Sequence, residues 1–254
     1  MTILKSFASA FLMYSRIPMP AVEWKEENRR YALCFFPCIG AIIGGVLIVW
    51  CCLCRRFSIP PMVFSAVSVC IPVIITGGIH IDGYMDVHDA KACMGDKEKK
   101  LQVMKDSRVG AFAVIRLCLY FILQFACFYE MYQLKYMFVV AGTFIISRAL
   151  SGLAAVNFKS AVGKGSLTNF TNPAHRTITT VVEIVDIAAM SVVMLSLSFY
   201  LGLGAMAGAV LTFIYYRYTS YKEFGGITGD LAGYFLQICE LAQLMMIVAM
   251  KIVI

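Results

Sequence analysis

The sequence predicts an all-α fold: a polytopic integral membrane helix bundle of about seven transmembrane helices, forming a single domain over residues 1–254. Of its 254 residues, 60% are hydrophobic and only 15% are charged, and the mean hydropathy is +0.78. Ordinary soluble domains carry about 25% charged and about 45–50% apolar residues. The apolar residues also occur in runs close to the ~20 residues that a membrane-spanning helix needs. These observations exclude a soluble globular domain.

Seven stretches are long and apolar enough to span a bilayer. They are residues 31–54, 61–79, 110–133, 135–157, 178–203, 205–221 and 231–254. The first contains Gly40, Gly44 and Gly45, small residues of the kind that let membrane helices pack closely. Residues 1–20 are predicted to form an amphipathic helix in the membrane interface. We find no internal repeat, which weighs against a transporter built from inverted halves.

The basic residues predict the orientation. The net charge is +7, and most of the 22 Lys and Arg residues fall in four polar segments: 1–30, 80–109, 158–177 and 222–230. The positive-inside rule places these segments in the cytoplasm. We expect a multi-pass protein of the cell (inner or plasma) membrane. Basic residues there fit contact with anionic lipid or phosphate better than with nucleic acid. Segment 158–177 is long and polar enough to cover a bound ligand.

The ten cysteines do not form a recognisable motif. Nearly all of them lie in apolar stretches, with no paired spacing in a polar loop. They are therefore interpreted as small buried side chains rather than as disulfides or a zinc site.

The segment that follows the second span carries the strongest chemical signal. Asp82, Asp86 and Asp89 are spaced i, i+4 and i+7, which on a helix confines them to an arc of about 60° over roughly 10 Å. Like charges at this spacing destabilise a helix, so a cation is expected beside them. Carboxylates with phosphate oxygens and water are the ligands that Mg²⁺ prefers. The alternative is a solvated acidic helix face.

Two further polar segments are candidates for binding an anion. Lys105, Asp106, Ser107 and Arg108 precede the third span, where they serve either as phosphate ligands or as an interfacial anchor. The Gly-rich run 225–233 contains Gly229 and Asp230, and its backbone N–H groups suit the approach of an anion. Asp230 either completes a metal shell or caps the last helix.

Five charged residues lie within the predicted spans: Arg116, Arg148, Glu183, Asp186 and Glu240. Charges inside a membrane normally face the bundle interior or a watery cavity. These residues either pair with one another or line a polar cavity that opens toward the cytoplasm.

These motifs, in this order, resemble the cobalamin synthase family, the adenosylcobinamide-GDP ribazoletransferases. The resemblance rests on three motifs: the acidic run from His80 to Asp89, the segment Met104–Gly110 and the run Gly225–Asp230. Residues 15–20 and the Phe36-Pro37-x-x-Gly40 pattern are similar to the N-terminal signature of that family. Ala90 and His88 depart from it, since the family usually has Gly at the first position and a small or polar residue at the second.

The resemblance implies an integral membrane, Mg²⁺-dependent transferase that performs the final assembly step of cobalamin. It would transfer the cobinamide-phosphoryl group of adenosylcobinamide-GDP to α-ribazole or α-ribazole 5′-phosphate and release GMP. Its site residues would be of three kinds. The metal ligands would be Asp82, Asp86 and Asp89. The catalytic residues would be Asp82, Asp86 and His80, and His80 would act as a base or as a partner to an aspartate. The substrate or phosphate ligands would be Lys105, Asp106, Ser107, Arg108, Gly229 and Asp230. Homo-oligomerisation is left open.

Two other classes of membrane protein are alternatives: a different Mg²⁺-dependent transferase and a transporter. A CDP-alcohol phosphotransferase or a prenyltransferase also uses aspartate-rich, Mg²⁺-binding helices, but the first expects an Asp-Gly-x-x-Ala-Arg run that is absent, and the second expects two separated acidic motifs. A transporter would need polar groups reaching both membrane faces. The opposite face carries few charges beyond Arg55, Arg56 and Glu130.

Overall fold

The computed structural model describes residues 2–163 and 166–253 and confirms the all-α prediction. Within these residues the α-helices are α1 (Thr2–Tyr14), α2 (Glu26–Arg29), α3 (Phe36–Arg56), α4 (Pro61–Thr76), α5 (Ile79–Ala92), α6 (Lys97–Val103), α7 (Ala111–Glu130), α8 (Leu134–Asn157), α9 (Ser166–Thr171), α10 (Arg176–Leu197), α11 (Phe199–Thr219) and α12 (Gly229–Val253). A 3₁₀ turn (Leu33–Phe35) precedes α3, and a π-helical turn (Ser220–Phe224) follows α11. Six helical segments of the described chain are long and apolar enough to cross a membrane, or seven if α4 and α5 form one span.

The second predicted span is broken by two glycines. Gly77 and Gly78 adopt φ values of 66° and 80°, in the left-handed region that favours glycine. Helix α4 therefore ends at Thr76, and α5 leaves at 95° to it. One face of α5, which includes His80, Tyr84 and Val87, is buried, while its other face is acidic. Helix α5 has only 14 residues, too few to span a bilayer alone, and its 95° turn from α4 carries it across the end of the bundle.

Small residues set the closest helix contacts. A Cβ built on Gly44 of α3 would lie 2.7 Å from the Cβ of Ala141 on α8, and Gly40 meets the backbone of Phe144 on the same helix. Gly208 of α11 lies in the same way against the backbone of Ala242 on α12. Such contacts replace the hydrophobic driving force that lipid does not supply between helices.

The long helices alternate in direction, so the polar segments meet at one end of the bundle. We call this end the site face; it holds residues 2–35, 77–110, 158–163, 166–175 and 220–228. Ser160 and Ile227 form an isolated parallel β-bridge there, which ties two of these segments together. At the opposite end, Lys251 pairs with Glu130 at 2.9 Å. Lys164 and Gly165 of the predicted covering segment lie outside the described residues.

Candidate active site

Two glycines bring α5 against the start of α12. A Cβ on Gly83 would lie 2.7 Å from the carbonyl oxygen of Asp230, and one on Gly233 would lie 3.2 Å from the Cα of His80. Because no side chain separates the two backbones, the helices cross in direct contact. The crossing places Asp82 and Asp86, which flank Gly83 on α5, next to Asp230.

The carboxylates at this crossing influence one another electrostatically. Burial, followed by the negative charges of Asp82, Asp230 and Asp89, raises the pKa of Asp86 from 3.8 to about 7. A nearby cation would reverse this shift, because it favours the charged form of a carboxylate. The hydroxyl of Thr228 accepts a hydrogen bond from the Leu231 N–H at 3.1 Å. Thr228 thus satisfies one of the free N–H groups at the start of α12, and the role of Asp230, as a metal ligand or as a cap, stays a prediction.

Asp89 has a structural role at the far end of the acidic stripe. Its carboxylate accepts hydrogen bonds from the backbone N–H groups of Gly110 at 2.6 Å and Ala113 at 3.0 Å. These are donors at the first turn of α7, which have no partner within their own helix. Asp89 thus caps α7 from a distance. Each carboxylate oxygen keeps a further lone pair, so its role as a metal ligand stays a prediction.

The donor set suits a magnesium ion that is shared with a substrate. Within residues 2–163 and 166–253, no three His, Cys, Asp or Glu side chains are arranged to hold a metal ion by themselves. Mg²⁺ usually takes only one or two carboxylates and fills the rest of its shell with phosphate oxygens and water. After burial, the negative charges of Asp82, Asp230 and Asp89 contribute to the raised pKa of Asp86, and these are charges that such an ion would offset. The residues present therefore fit Mg²⁺.

A cavity of about 90 Å³ opens beside Asp82. Helices α1, α3, α5, α8 and α12 all contribute to its wall. Its polar lining includes three of the predicted site residues besides Asp82, namely His80, Gly229 and Asp230. Much of the remaining wall is apolar and includes Met13, Leu33, Phe36, Leu167 and Leu236. The structure thus brings predicted residues from two distant segments to one cavity.

His80 lies between this cavity and a smaller polar chamber deeper in the bundle. Its ring is buried, and among the described residues neither ring nitrogen has a hydrogen-bond partner. Burial, followed by the positive charge of Arg148, lowers the pKa of His80 to about 3. The imidazole is therefore neutral at pH 7, as a base must be, although a pKa this low makes it a weak base.

The chamber beneath His80 contains a buried ion pair. Arg148 and Glu240 are each 1% exposed and pair at 2.8 Å, with the hydroxyl of Ser147 donating to the same carboxylate oxygen at 3.0 Å. Two of the five charges predicted within the spans therefore pair with each other. Both oxygens of Glu183 are buried without a hydrogen-bond partner in the described part of the chain.

The predicted phosphate-binding segment before α7 is exposed. Arg108 pairs with Asp106 at 2.7 Å, and Lys105 and Ser107 face solvent. This hydrogen-bonded ion pair lowers the pKa of Asp106 to about 2. None of the four lines the cavity beside Asp82, although the segment ends at Gly110 against Asp89. Their role in binding phosphate stays a prediction.

One basic residue near Asp82, Arg16, was not predicted as part of the site. Arg16 lines a groove of about 530 Å³ together with Gly77, Gly78 and Asp82. Its only sequence signal was its place in the Ser15–Pro20 signature, which identifies no role.

Together, the helix bundle and the acidic helix crossing define a class of protein: a polytopic membrane protein with a cluster of carboxylates beside a cavity at one end of the bundle. Comparison with known sequences identifies the family. The sequence profile of the cobalamin-5-phosphate synthase family matches residues 6–248, so the chain belongs to that family. This confirms the resemblance drawn from the motifs.

Several curated relatives are similar over almost their full length. An adenosylcobinamide-GDP ribazoletransferase of Lachnoclostridium phytofermentans is 42% identical over 99% of this chain and 96% of its own. A protein of the same name from Clostridium botulinum is 32% identical over 95% of this chain and 96% of its own. One from Acinetobacter baumannii is 29% identical over 92% of each chain. No solved structure matches this chain.

Proposed function

We propose that this enzyme carries out the final assembly step of cobalamin, as an adenosylcobinamide-GDP ribazoletransferase. The observation that carries the proposal is the crossing of α5 and α12, which brings Asp82 and Asp230 to one cavity and keeps Asp86 within reach of their charges. Family membership and the names of the relatives support the choice of substrate. They also favour this reaction over transfer from CDP-alcohols or polyprenyl diphosphates, and over transport.

The reaction is a displacement at phosphorus. The ribose 3′-hydroxyl oxygen of α-ribazole, or of its 5′-phosphate, forms a bond to the phosphorus that carries the cobinamide. The bond from that phosphorus to the bridging oxygen breaks, GMP leaves with the bond's electron pair, and the hydroxyl proton is released. Such reactions depend on positioning and on neutralising charge more than on covalent chemistry by the protein.

In this proposal Asp82 and Asp86 hold Mg²⁺, with Asp230 facing them and Asp89 as the further ligand that the stripe predicts. When bound, the ion neutralises charge on the diphosphate oxygens. Lys105 and Arg108 supply positive charge at the rim, with Ser107 beside them, and Asp106 orients Arg108 through their ion pair. The neutral ring of His80 accepts the hydroxyl proton or orients an aspartate.

The cavity beside Asp82 suits the acceptor. Its volume of about 90 Å³ is far too small for a corrinoid, but its apolar wall fits part of a flat aromatic base. The corrinoid therefore stays outside, and only its diphosphate reaches the carboxylates. We propose that the site face is cytoplasmic in the cell membrane and that anionic lipid contacts its basic residues; the oligomeric state stays open.

The direct test is a reconstitution. Purified protein in lipid nanodiscs is incubated with adenosylcobinamide-GDP, α-ribazole and MgCl₂, and the products are separated by chromatography. We expect equal amounts of GMP and cobamide, and no product when α-ribazole is omitted or the divalent ion is chelated. Parallel incubations use α-ribazole 5′-phosphate, CDP-alcohols and polyprenyl diphosphates. A protein that turns over only the last two substrates would contradict the proposal.

A further inference from the structure

A groove of about 530 Å³ lies between the end of α1 and the turn from α4 to α5. Arg16 stands on one wall, and Asp82 stands on another. Asp82 also lines the cavity of about 90 Å³ described above. The groove and the cavity are therefore neighbours that share this carboxylate.

Backbone and side-chain contacts hold Arg16 at this position. Its N–H donates to the carbonyl oxygen of Ile75 at 2.7 Å, which joins the chain after α1 to the last turn of α4. The hydroxyl of the preceding Ser15 donates to the carbonyl oxygen of Phe11 at 2.8 Å. The Arg16 side chain then lies on Gly77, where a Cβ would overlap it. Glycine at position 77 thus serves both the turn and the placement of the arginine.

Arg16 has no charge partner within the described chain. Two other arginines close to the site do have such a partner: Arg108 pairs with Asp106, and Arg148 pairs with Glu240. The Arg16 side chain makes no ion pair or hydrogen bond among the described residues, although Asp82 lines the same groove. A guanidinium offers five N–H donors in a planar fork that matches two phosphate oxygens. An arginine fixed in a groove with its donors free is arranged to receive an anion.

We propose that Arg16 binds the non-bridging oxygens of the substrate's diphosphate in the groove that it lines together with Asp82. This inference rests on the proposed function for the identity of the substrate. It assigns the main anion contact to the exposed but unpaired Arg16 rather than to the Lys105–Arg108 segment, whose arginine is already paired with Asp106. The diphosphate then spans the site from the Arg16 groove to the carboxylates on α5.

The test compares five variants of the full-length protein in nanodiscs. Arg16→Gln removes the charge, Arg16→Lys keeps it without the fork, and Arg55→Gln removes an exposed arginine at the opposite end of the bundle. Gly77→Ala pushes directly on the Arg16 side chain, whereas Gly78→Ala adds a methyl group where nothing lies within 4 Å. Both glycines have positive φ, so the two alanine variants carry similar backbone strain and differ in their contact with Arg16.

The readouts are equilibrium dialysis of labelled GDP with MgCl₂, competition by inorganic pyrophosphate, and the KM values of both substrates. We expect Arg16→Gln to weaken binding of GDP and pyrophosphate at least tenfold and to raise the KM for adenosylcobinamide-GDP, with the KM for α-ribazole unchanged. Arg16→Lys should fall between wild type and Arg16→Gln. Gly77→Ala should weaken GDP binding at least fivefold more than Gly78→Ala.

Three results would overturn the proposal. One is Arg16→Gln binding pyrophosphate as tightly as Arg55→Gln does; a second is a parallel rise in both KM values, which indicates a purely structural effect. Wild-type protein that binds neither GDP nor pyrophosphate would also contradict it. The dialysis measures binding without turnover, so it tests Arg16 even if the enzyme forms no cobamide. Failure of the proposed function would be seen separately, as the absence of cobamide in the reconstitution.

Discussion

At the scale of single residues, Asp86 responds most strongly to its surroundings. Burial and the charges of Asp82, Asp230 and Asp89 raise its pKa to about 7. Below that pH the metal-free carboxyl is mostly protonated, so a proton competes with a divalent ion for the same oxygens. Because the pKa is raised in the folded state, the stability that Asp86 contributes is complete below pH 3.8 and is lost as the pH rises through about 7.

This competition predicts a pH-dependent affinity for magnesium. As the pH rises toward 7, the apparent dissociation constant for Mg²⁺ should decrease about tenfold per pH unit. Above pH 7 it should level off, as expected for displacement of one proton. MgCl₂ should therefore raise the Tm more at pH 8 than at pH 5.5. The measurement is a thermal melt with and without MgCl₂ at both pH values, and Asp86→Asn should remove the difference. An equal rise in Tm at both pH values in wild type would contradict this account.

Residue types and spacing predicted the acidic stripe, but they did not predict how its members divide their work. Asp89 caps α7 because that helix begins at Ala111 next to it, a relation between two elements that spacing along α5 does not encode. Arg16 reaches the same site from the N-terminal segment. Its position depends on the glycine turn at Gly77, so only the folded chain reveals it.

At the scale of elements, the contact between α5 and α12 holds the site together. In Gly83→Ala the new methyl group would meet the backbone of Asp230, which cannot move aside cheaply. Overpacking of this kind costs about 1–3 kcal/mol and would separate the carboxylates. We expect a lower Tm and at least a ~10-fold loss of turnover, since small misplacements of catalytic groups are costly.

Gly45→Ala on α3 is the matched control, because nothing lies within 4 Å of its added methyl group. It should leave Tm and turnover unchanged or raise Tm slightly, since alanine is the better helix former. If Gly83→Ala behaved like Gly45→Ala in both measurements, close contact between α5 and α12 would not be what holds the site.

The buried pair between α8 and α12 should matter for stability more than an exposed pair does. Glu240→Gln leaves Arg148 without its counterion, and breaking a buried pair in this way costs about 3–5 kcal/mol. Glu130→Gln removes the exposed partner of Lys251, a change worth about 0–1 kcal/mol. The free energies of unfolding of the two variants, measured in the same detergent, test this difference. Equal losses would show that Arg148 does not depend on Glu240.

The spans themselves were largely predictable from hydropathy, and their errors have physical causes. The predicted span 61–79 ends at Thr76 because Gly77 and Gly78 turn the chain by 95°. The predicted break between 203 and 205 lies instead at Ser198, where a single extended residue separates α10 from α11. No glycine or proline marks that position, and the hydropathy continues across it.

At the scale of the whole molecule, alternation of the helices puts every predicted site segment at one end. The basic residues of this end predict that it faces the cytoplasm. Alkaline phosphatase fused after Gln133 should therefore be active in a bacterial host, and the same enzyme fused after Val162 should be inactive. The reverse pattern of activity would place the site face outside the cell.

The central claim is that the carboxylates at the α5–α12 crossing act in a Mg²⁺-dependent transfer. The most direct measurement is the rate of cobamide formation by folded Asp82→Asn, Asp86→Asn and Asp89→Asn variants across a range of MgCl₂ concentrations. We predict losses of at least ~100-fold for the first two, about 3 kcal/mol each. Asp89→Asn should lose less, because asparagine still caps a helix well; a loss as large as that of Asp82→Asn would make Asp89 a ligand. Near wild-type rates for Asp82→Asn and Asp86→Asn would contradict the central claim.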